Sequence, residues 1–218
     1  MKSTLRTVLL LGTLLGPGLL TSCAAPIYKA QAPLPALSVG VACFFQPTSD
    51  LELMAGYIPD KQGMIDEGAL LRLDADFRAA LAQTGRAYKY LDPIPLLEEQ
   101  RPSRSERPGS NSALSYWVNI GKKAEVDVLI VPMVIDWHER EGSEAGVTIS
   151  AAVTTDTFLI DTRGQGNLLQ RSFYREKQVG LANNLMNLGT FIKRGGKWVT
   201  ADKLAQEAMH KTIQEFGL

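Results

Sequence analysis

The chain is short of the residues on which most catalytic and metal-binding chemistry depends. Of 218 residues, two are cysteine and two are histidine. His138 and His210 have no second histidine or cysteine at ligand spacing, which argues against a zinc site. The chain has no G-x-S-x-G nucleophile elbow and no G-x-x-x-x-G-K phosphate loop. Gly164-Gln165-Gly166 is a lone G-x-G with no helix after it and reads as a hairpin turn. Excess charge is also lacking: 23 Lys and Arg balance 23 Asp and Glu. Global attraction to nucleic acid or to anionic lipid is therefore excluded. The apolar run Val8 to Leu20 covers about 13 residues and is broken by Gly12, Gly16, Pro17 and Gly18, whereas a spanning helix needs roughly 20. Paired acids such as Glu98-Glu99 and Glu139/Glu141 sit in polar segments and read as solvated surface, not as a general acid and base. No cofactor, metal or small-molecule substrate is expected.

What is present begins at the amino terminus. Lys2 and Arg6 precede the apolar run, and Leu20-Thr21-Ser22-Cys23 closes it with small residues before a cysteine. A positive region, an apolar region and a small-residue end form a secretory signal. With cysteine as the next residue, the stretch resembles the lipobox of bacterial lipoproteins. The resemblance implies cleavage before Cys23, acylation of its sulfur and new amino group, and anchoring of all that follows. Ala24, where inner-membrane lipoproteins carry aspartate, implies the periplasmic face of the outer membrane. The expected organisation is a signal over 1–22, a lipidated Cys23 with a proline-rich tether over 23–36, and one α/β periplasmic domain over 37–218. Extended at about 3 Å per residue, the tether reaches on the order of 40 Å. Cys43 is then left without a partner in the chain and reads as a small buried hydrophobe.

Roughly 200 residues beyond the signal suffice for one domain with a sizeable core. Leu37 to Phe45 is short, apolar and rich in β-formers, so it reads as a strand buried on both faces. Ile65 to Thr84 reads as a helix, with Leu70, Leu71, Asp74, Phe77, Arg78 and Leu81 along its stripe and Gly85 at its end. Arg86 to Leu91 alternates as a short second strand. Asn111 or Ser112 is the expected cap of a helix running to Lys123, with Leu114, Trp117, Val118 and Ile120 inward. Val126 to His138 is a strong strand in which Pro132 predicts a bulge or a passage to the edge. Val147 to Lys177 reads as one long antiparallel hairpin turning at residues 161–166. Thr200 or Asp202 opens a final helix packed through Leu204, Ala208, Met209, Ile213 and Phe216. The order predicts an α/β (α+β) fold, a mixed sheet with a long antiparallel hairpin and helices packed on it.

Two loops are candidate partner contacts. One holds Leu51, Leu53, Met54 and Tyr57, apolar side chains that must fold back onto the domain or onto a partner. The other, Pro93 to Ser112, interleaves Arg101, Arg104 and Arg107 with serine and proline; a solvated insertion is an equal reading of it. Asp136, Trp137 and His138 form one cluster to be tested for chemistry. Trp117, Trp137 and Trp198 read as core or interface anchors.

Ile120-Gly121-Lys122-Lys123-Ala124-Glu125-Val126-Asp127-Val128-Leu129-Ile130-Val131 and Phe158-Leu159-Ile160-Asp161-Thr162-Arg163-Gly164 carry a second resemblance. They resemble the periplasmic fold shared by the amino-terminal domain of TolB, the curli-secretion lipoprotein and the lipoprotein activators of penicillin-binding proteins. Pro132 stands about where that group often has glycine. The resemblance implies a non-enzymatic, membrane-anchored periplasmic domain that binds an envelope protein as an adaptor or regulator of envelope assembly. Two alternatives stay open: a subunit of an oligomeric export or envelope complex, and an envelope enzyme using Asp136 and His138.

Overall fold

A computed structural model of the chain describes residues 37–92, 110–178, 192 and 194–218. The expected signal, Cys23, the tether and the loop carrying Arg101, Arg104 and Arg107 lie outside the described residues.

The fold is α+β, as the pattern predicts. In chain order the elements are β1 (Val39–Val41), α1 (Glu67–Ala82), β2 (Lys89–Tyr90), α2 (Ser110–Lys123), β3 (Val128–His138), β4 (Glu141–Gly142), β5 (Val147–Ile149), β6 (Ala152–Asp161), β7 (Asn167–Lys177) and α3 (Ala201–Phe216). The main sheet runs β2-β1-β3-β6-β7, parallel between β1 and both of its neighbours and antiparallel from β3 onward. Two cores follow from the alternation of side chains along each strand. On one face Val128, Ile130, Val134 and Leu159 pack beneath α1 and α3. On the other, Leu129, Val131, Met133, Phe158 and Ile160 pack beneath α2 and the segment carrying Leu53 and Met54. β3 and β6, clad on both faces, are almost wholly buried.

Helix α1 is capped by Asp66, whose carboxylate accepts from Ala69 N at 2.8 Å. Its core stripe is Ala69, Leu73, Phe77 and Leu81, one residue per turn. Phe77 and Leu81 were expected inward, but Leu71 is 57% exposed and Leu73 replaces it. Helix α2 begins at Ser110, so Asn111 and Ser112 lie within its first turn. For α3, Thr200 accepts from Lys203 N, and Gly217 at φ 65° closes the carboxyl end. Thr200→Ala should therefore cost about 1 kcal/mol, read as a melting-temperature loss of about 3 °C.

Pro132 does not mark the bulge. It pairs in register with Thr157, and the register shifts between Val134 and Asp136 instead. Val128 N and Val134 N donate toward β1, to Ser38 O and Phe45 O. Residue 132 thus faces the opening between the end of β1 at Val41 and the single bridge Phe45–Met133, where no N–H is required. The long hairpin also begins later than expected. Val147–Ile149 belongs to a separate ribbon with β4, and β6–β7 pair from Ala152 with Lys177 onward.

The two segments that carried the family resemblance meet in space. A Cβ on Gly121 would lie 2.2 Å from Thr162 Cγ2, so α2 can pack on the hairpin turn only with glycine there. The Thr162 hydroxyl donates to Val126 O, and Lys122 Nζ donates to Gly164 O at 2.7 Å. Asp127 accepts from both Ser38 N and Ser38 Oγ, tying the start of β3 to that of β1. These motif positions hold the fold together.

Candidate functional site

A candidate opening lies on the second face, beyond the cover of α2. It is a cleft of about 140 Å3 lined by Ala55, Gly56, Tyr57 and Pro59 on one wall, Ile135, Asp136, Thr154 and Asp156 on the floor, and Arg171, Phe173 and Arg175 of β7 on the other.

The first wall is a strap, residues 46–65, that contains the loop of Leu51, Leu53, Met54 and Tyr57. Its polar side chains pin it. Ser49 caps a short 3-10 turn over Asp50–Glu52, and Asp50 Oδ1 accepts from Ile58 N at 3.2 Å. Gln62 Nε2 donates to Pro47 O and to Ile135 O, the carbonyl at the bulge. Gln46 holds Gly63 O with its amide nitrogen and Ile65 N with its amide oxygen. Gly63 N donates to Asp136 Oδ1 at 2.7 Å, and Trp137 N donates to Gly63 O at 3.1 Å.

The bulge positions the floor. Before it, odd-numbered residues of β3 face this core; after it, Asp136 does, and Trp137 enters the opposite core. An extra residue in one strand re-aims the side chains that follow it. His138 Nε2 stands 3.1 Å from Asp136 Oδ1, the oxygen already bonded to Gly63.

The second wall is built around one ion pair. Asp156 is 2% exposed and takes Arg171 Nε and a terminal guanidinium nitrogen at 2.8, 3.1 and 2.7 Å. Burial raises the pKa of the Asp156 carboxyl above its ordinary value, against the opposing pull of Arg171. The pairing in turn pushes Arg171 up and keeps it charged. The guanidinium lies 5.2 Å from the Phe173 ring centre and 5.8 Å from that of Phe158, within cation–π range. Gly56, at φ +82°, stands over this pair: a Cβ there would meet the guanidinium at 3.4 Å.

On its other face β7 is braced to α3. Arg194, 8% exposed, binds Glu207 through two nitrogens at 2.9 and 2.6 Å and Glu176 through a third at 3.1 Å. Tyr174 Oη donates to the same Glu207 at 3.0 Å. Burial alone would raise the Glu207 pKa, but Arg194 and Tyr174 outweigh it and the net shift is downward. The wall of the cleft is therefore fixed from behind.

The sequence-derived candidates fare unevenly. Tyr57 lies in the cleft and is 69% exposed, Leu51 is half-buried, and Leu53, 5% exposed, is a core residue that offers no surface. Asp136 and His138 do meet, at the cleft floor and its rim. Cys43 is half-buried, with Sγ donating to Leu91 O at 3.3 Å. Burial, then the neighbouring Asp74, push its thiol up to about 11, so it stays protonated. Asp156, Arg171, Phe173 and Arg175 were not singled out as site residues. Their signal is the alternation Arg171, Phe173, Arg175, Lys177 on one face of the returning strand. Among the described residues no group of three or more His, Cys, Asp or Glu side chains is placed to hold a metal, and no helix is long and apolar enough to cross a membrane.

Fold and site together define an α+β domain with an open, aromatic and charged cleft between a strap and an edge strand. No protein-family model matches the chain, and no curated protein matches it in sequence. Among solved structures it is similar to the PelC dodecamer of Paraburkholderia phytofirmans, at 11% identity over 85% of this chain and 93% of that one, with TM-score 0.45. It is also similar to the hypothetical protein CT253 of Chlamydia trachomatis (9%, over 81% and 96%, TM-score 0.40). A third is the lipoprotein GNA1162 of Neisseria meningitidis (16%, over 73% and 93%, TM-score 0.34). Likenesses at this level carry no statement about function.

Proposed function

We propose that the chain is a lipoprotein of the bacterial envelope, lipid-anchored at the periplasmic face of the outer membrane. Its α+β domain acts as a non-enzymatic protein-binding adaptor or regulator of envelope assembly. The lipobox ending at Cys23 supports the anchor. The observation that carries the binding role is the pair of solvent-facing aromatic rings, Tyr57 at 69% and Phe173 at 44% exposure, on opposite walls of one cleft. Exposed aromatics in a preformed concavity are how protein surfaces take hold of a partner's side chain.

The mechanism is tethered capture. The lipid and the proline-rich tether confine the domain near the bilayer and raise its effective concentration toward a membrane-bound partner into the millimolar range. Weak individual contacts then suffice. Asp136, bonded to the strap through Gly63, acts as a positioning residue for the Tyr57 wall.

The anchor is tested by growing cells on radiolabelled palmitate. The parent chain should take up label and sediment with outer-membrane fractions, and Cys23→Ser should take up none. An unlabelled parent would remove the anchor from the account.

A further inference from the structure

We propose that the cleft between the strap and β7 docks an acidic, extended protein segment bearing one aromatic side chain. The ring enters the chamber between Tyr57 and Phe173, and flanking carboxylates meet Arg175 and Lys177. The inference rests on the adaptor reading and names the chemistry of its partner.

Size is the first argument. A cavity of about 150 Å3 accepts a benzene-sized ring, and the cleft holds about 140 Å3. Its mouth already presents an aromatic ring, Tyr57, on one wall and a guanidinium 5.2 Å from the Phe173 ring centre on the other, the surroundings an aromatic side chain favours.

Charge is the second. Of the cationic side chains that β7 turns to this face, Arg171 is neutralised by Asp156. Arg175 and Lys177 are not. Their cross-strand neighbours are Thr154 and Ala152, and neither cation makes an ion pair or hydrogen bond among the described residues. Glu176 points to the opposite face, where it binds Arg194. Asp136 lies in the same row as Arg175 with Thr154 between them, and it is engaged by Gly63 and His138. The outer lip of the cleft is therefore cationic, although the chain as a whole is neutral.

Spacing is the third. Phe173, Arg175 and Lys177 share one face of β7 and repeat about every 7 Å. A partner in extended conformation projects alternate side chains at the same interval. An aromatic residue followed by acids two and four positions along matches chamber, Arg175 and Lys177 in turn. Side chains on one face of a helix recur about every 5.4 Å and fall out of step with a repeat of about 7 Å over three positions.

The test uses the full-length chain in detergent micelles and a fluorescein-labelled peptide of alternating glutamate and serine with one central phenylalanine. Anisotropy should show saturable binding that weakens with salt. Glutamine or lysine in place of glutamate, or alanine in place of phenylalanine, should abolish it. Arg175→Glu should weaken binding about tenfold or more, and Arg175→Lys should preserve most of it. Arg175 is exposed, so an unchanged melting temperature serves as the folding control. Equal binding of the lysine peptide, or unchanged binding by Arg175→Glu, overturns the inference. So does binding to phosphatidylglycerol vesicles, lost in Arg175→Glu, without peptide binding, because the occupant would then be the membrane. A discrete protein cross-linked through position 57 in cells, without glutamate preference in vitro, overturns this inference and leaves the adaptor reading standing.

Discussion

Arg171→Ala should destabilise the fold by about 3 kcal/mol near neutral pH and by much less in acid. The cause is the partner left behind. Asp156 is 2% exposed, and Arg171 supplies every side-chain hydrogen bond it makes among the described residues. Burial already holds its folded-state pKa above the ordinary value with Arg171 in place. Without that cation the folded value rises further, while the unfolded value stays at about 3.9. A raised carboxyl pKa means that ionisation disfavours the folded state. The deficit is therefore full above the folded pKa and shrinks as pH falls toward the unfolded one. Denaturant titrations at neutral pH and at pH about 4 measure the difference. The same loss at both pH values would show that the guanidinium stabilises by packing alone. Replacing both partners, Asp156→Leu with Arg171→Leu, should recover much of the stability, since no buried charge remains.

Gly63→Ala should cost about 2 kcal/mol and detach the strap from the cleft floor. A Cβ at this position would lie 2.1 Å from the backbone oxygen of Trp137 and 2.8 Å from the His138 ring. Backbone within a central strand cannot retreat as a flexible side chain can, so the strap must move. Three links then break together: Gly63 N to Asp136, Trp137 N to Gly63 O, and Gln46 to Gly63 O. The expected readouts are a melting temperature lower by about 6 °C and faster proteolysis within residues 46–63. A parent-like melting temperature and cleavage rate would show that the strap is held elsewhere.

The elements of this fold follow from local pattern, and the cleft does not. β3 is legible because a short apolar run rich in β-branched residues fits a strand clad on both faces. α3 was legible from its cap and stripe. Errors arose where the deciding contact is distant in sequence. Leu71 was read inward and faces solvent, because the seat against the sheet belongs to Leu73. Pro132, the one residue in β3 that lacks an N–H, predicts a bulge or a passage to the edge; the bulge lies further on, between Val134 and Asp136. The edge alternative is the one that holds, since the ladder opens opposite that proline where β1 stops at Val41. Val147 was joined to β6 by alternation alone, and the chain breaks that alternation before Ala152.

The strap looked irregular because side-chain amides, not periodicity, hold it. Gln46 and Gln62 carry no sequence signal for that task. Of the cleft, the sequence singles out Tyr57 on the strap and Asp136 on the floor, with His138 beside it. Asp156 and Arg171 are brought together by hairpin register, including a shift between Leu159 and Ile160, and such a register is set by the turn and not by composition. Gly121 and Thr162 show the converse. Two short motifs some 40 residues apart touch each other, and neither lines the cleft.

Photo-cross-linking in intact cells from a benzophenone amino acid in place of Tyr57 tests the central claim most directly. The account predicts one discrete envelope-protein adduct, formed at the membrane, weakened by Arg175→Glu and sharply reduced when Cys23→Ser removes the anchor. A parent chain that yields no adduct from position 57, or the same adduct at the same level without the anchor, would contradict it.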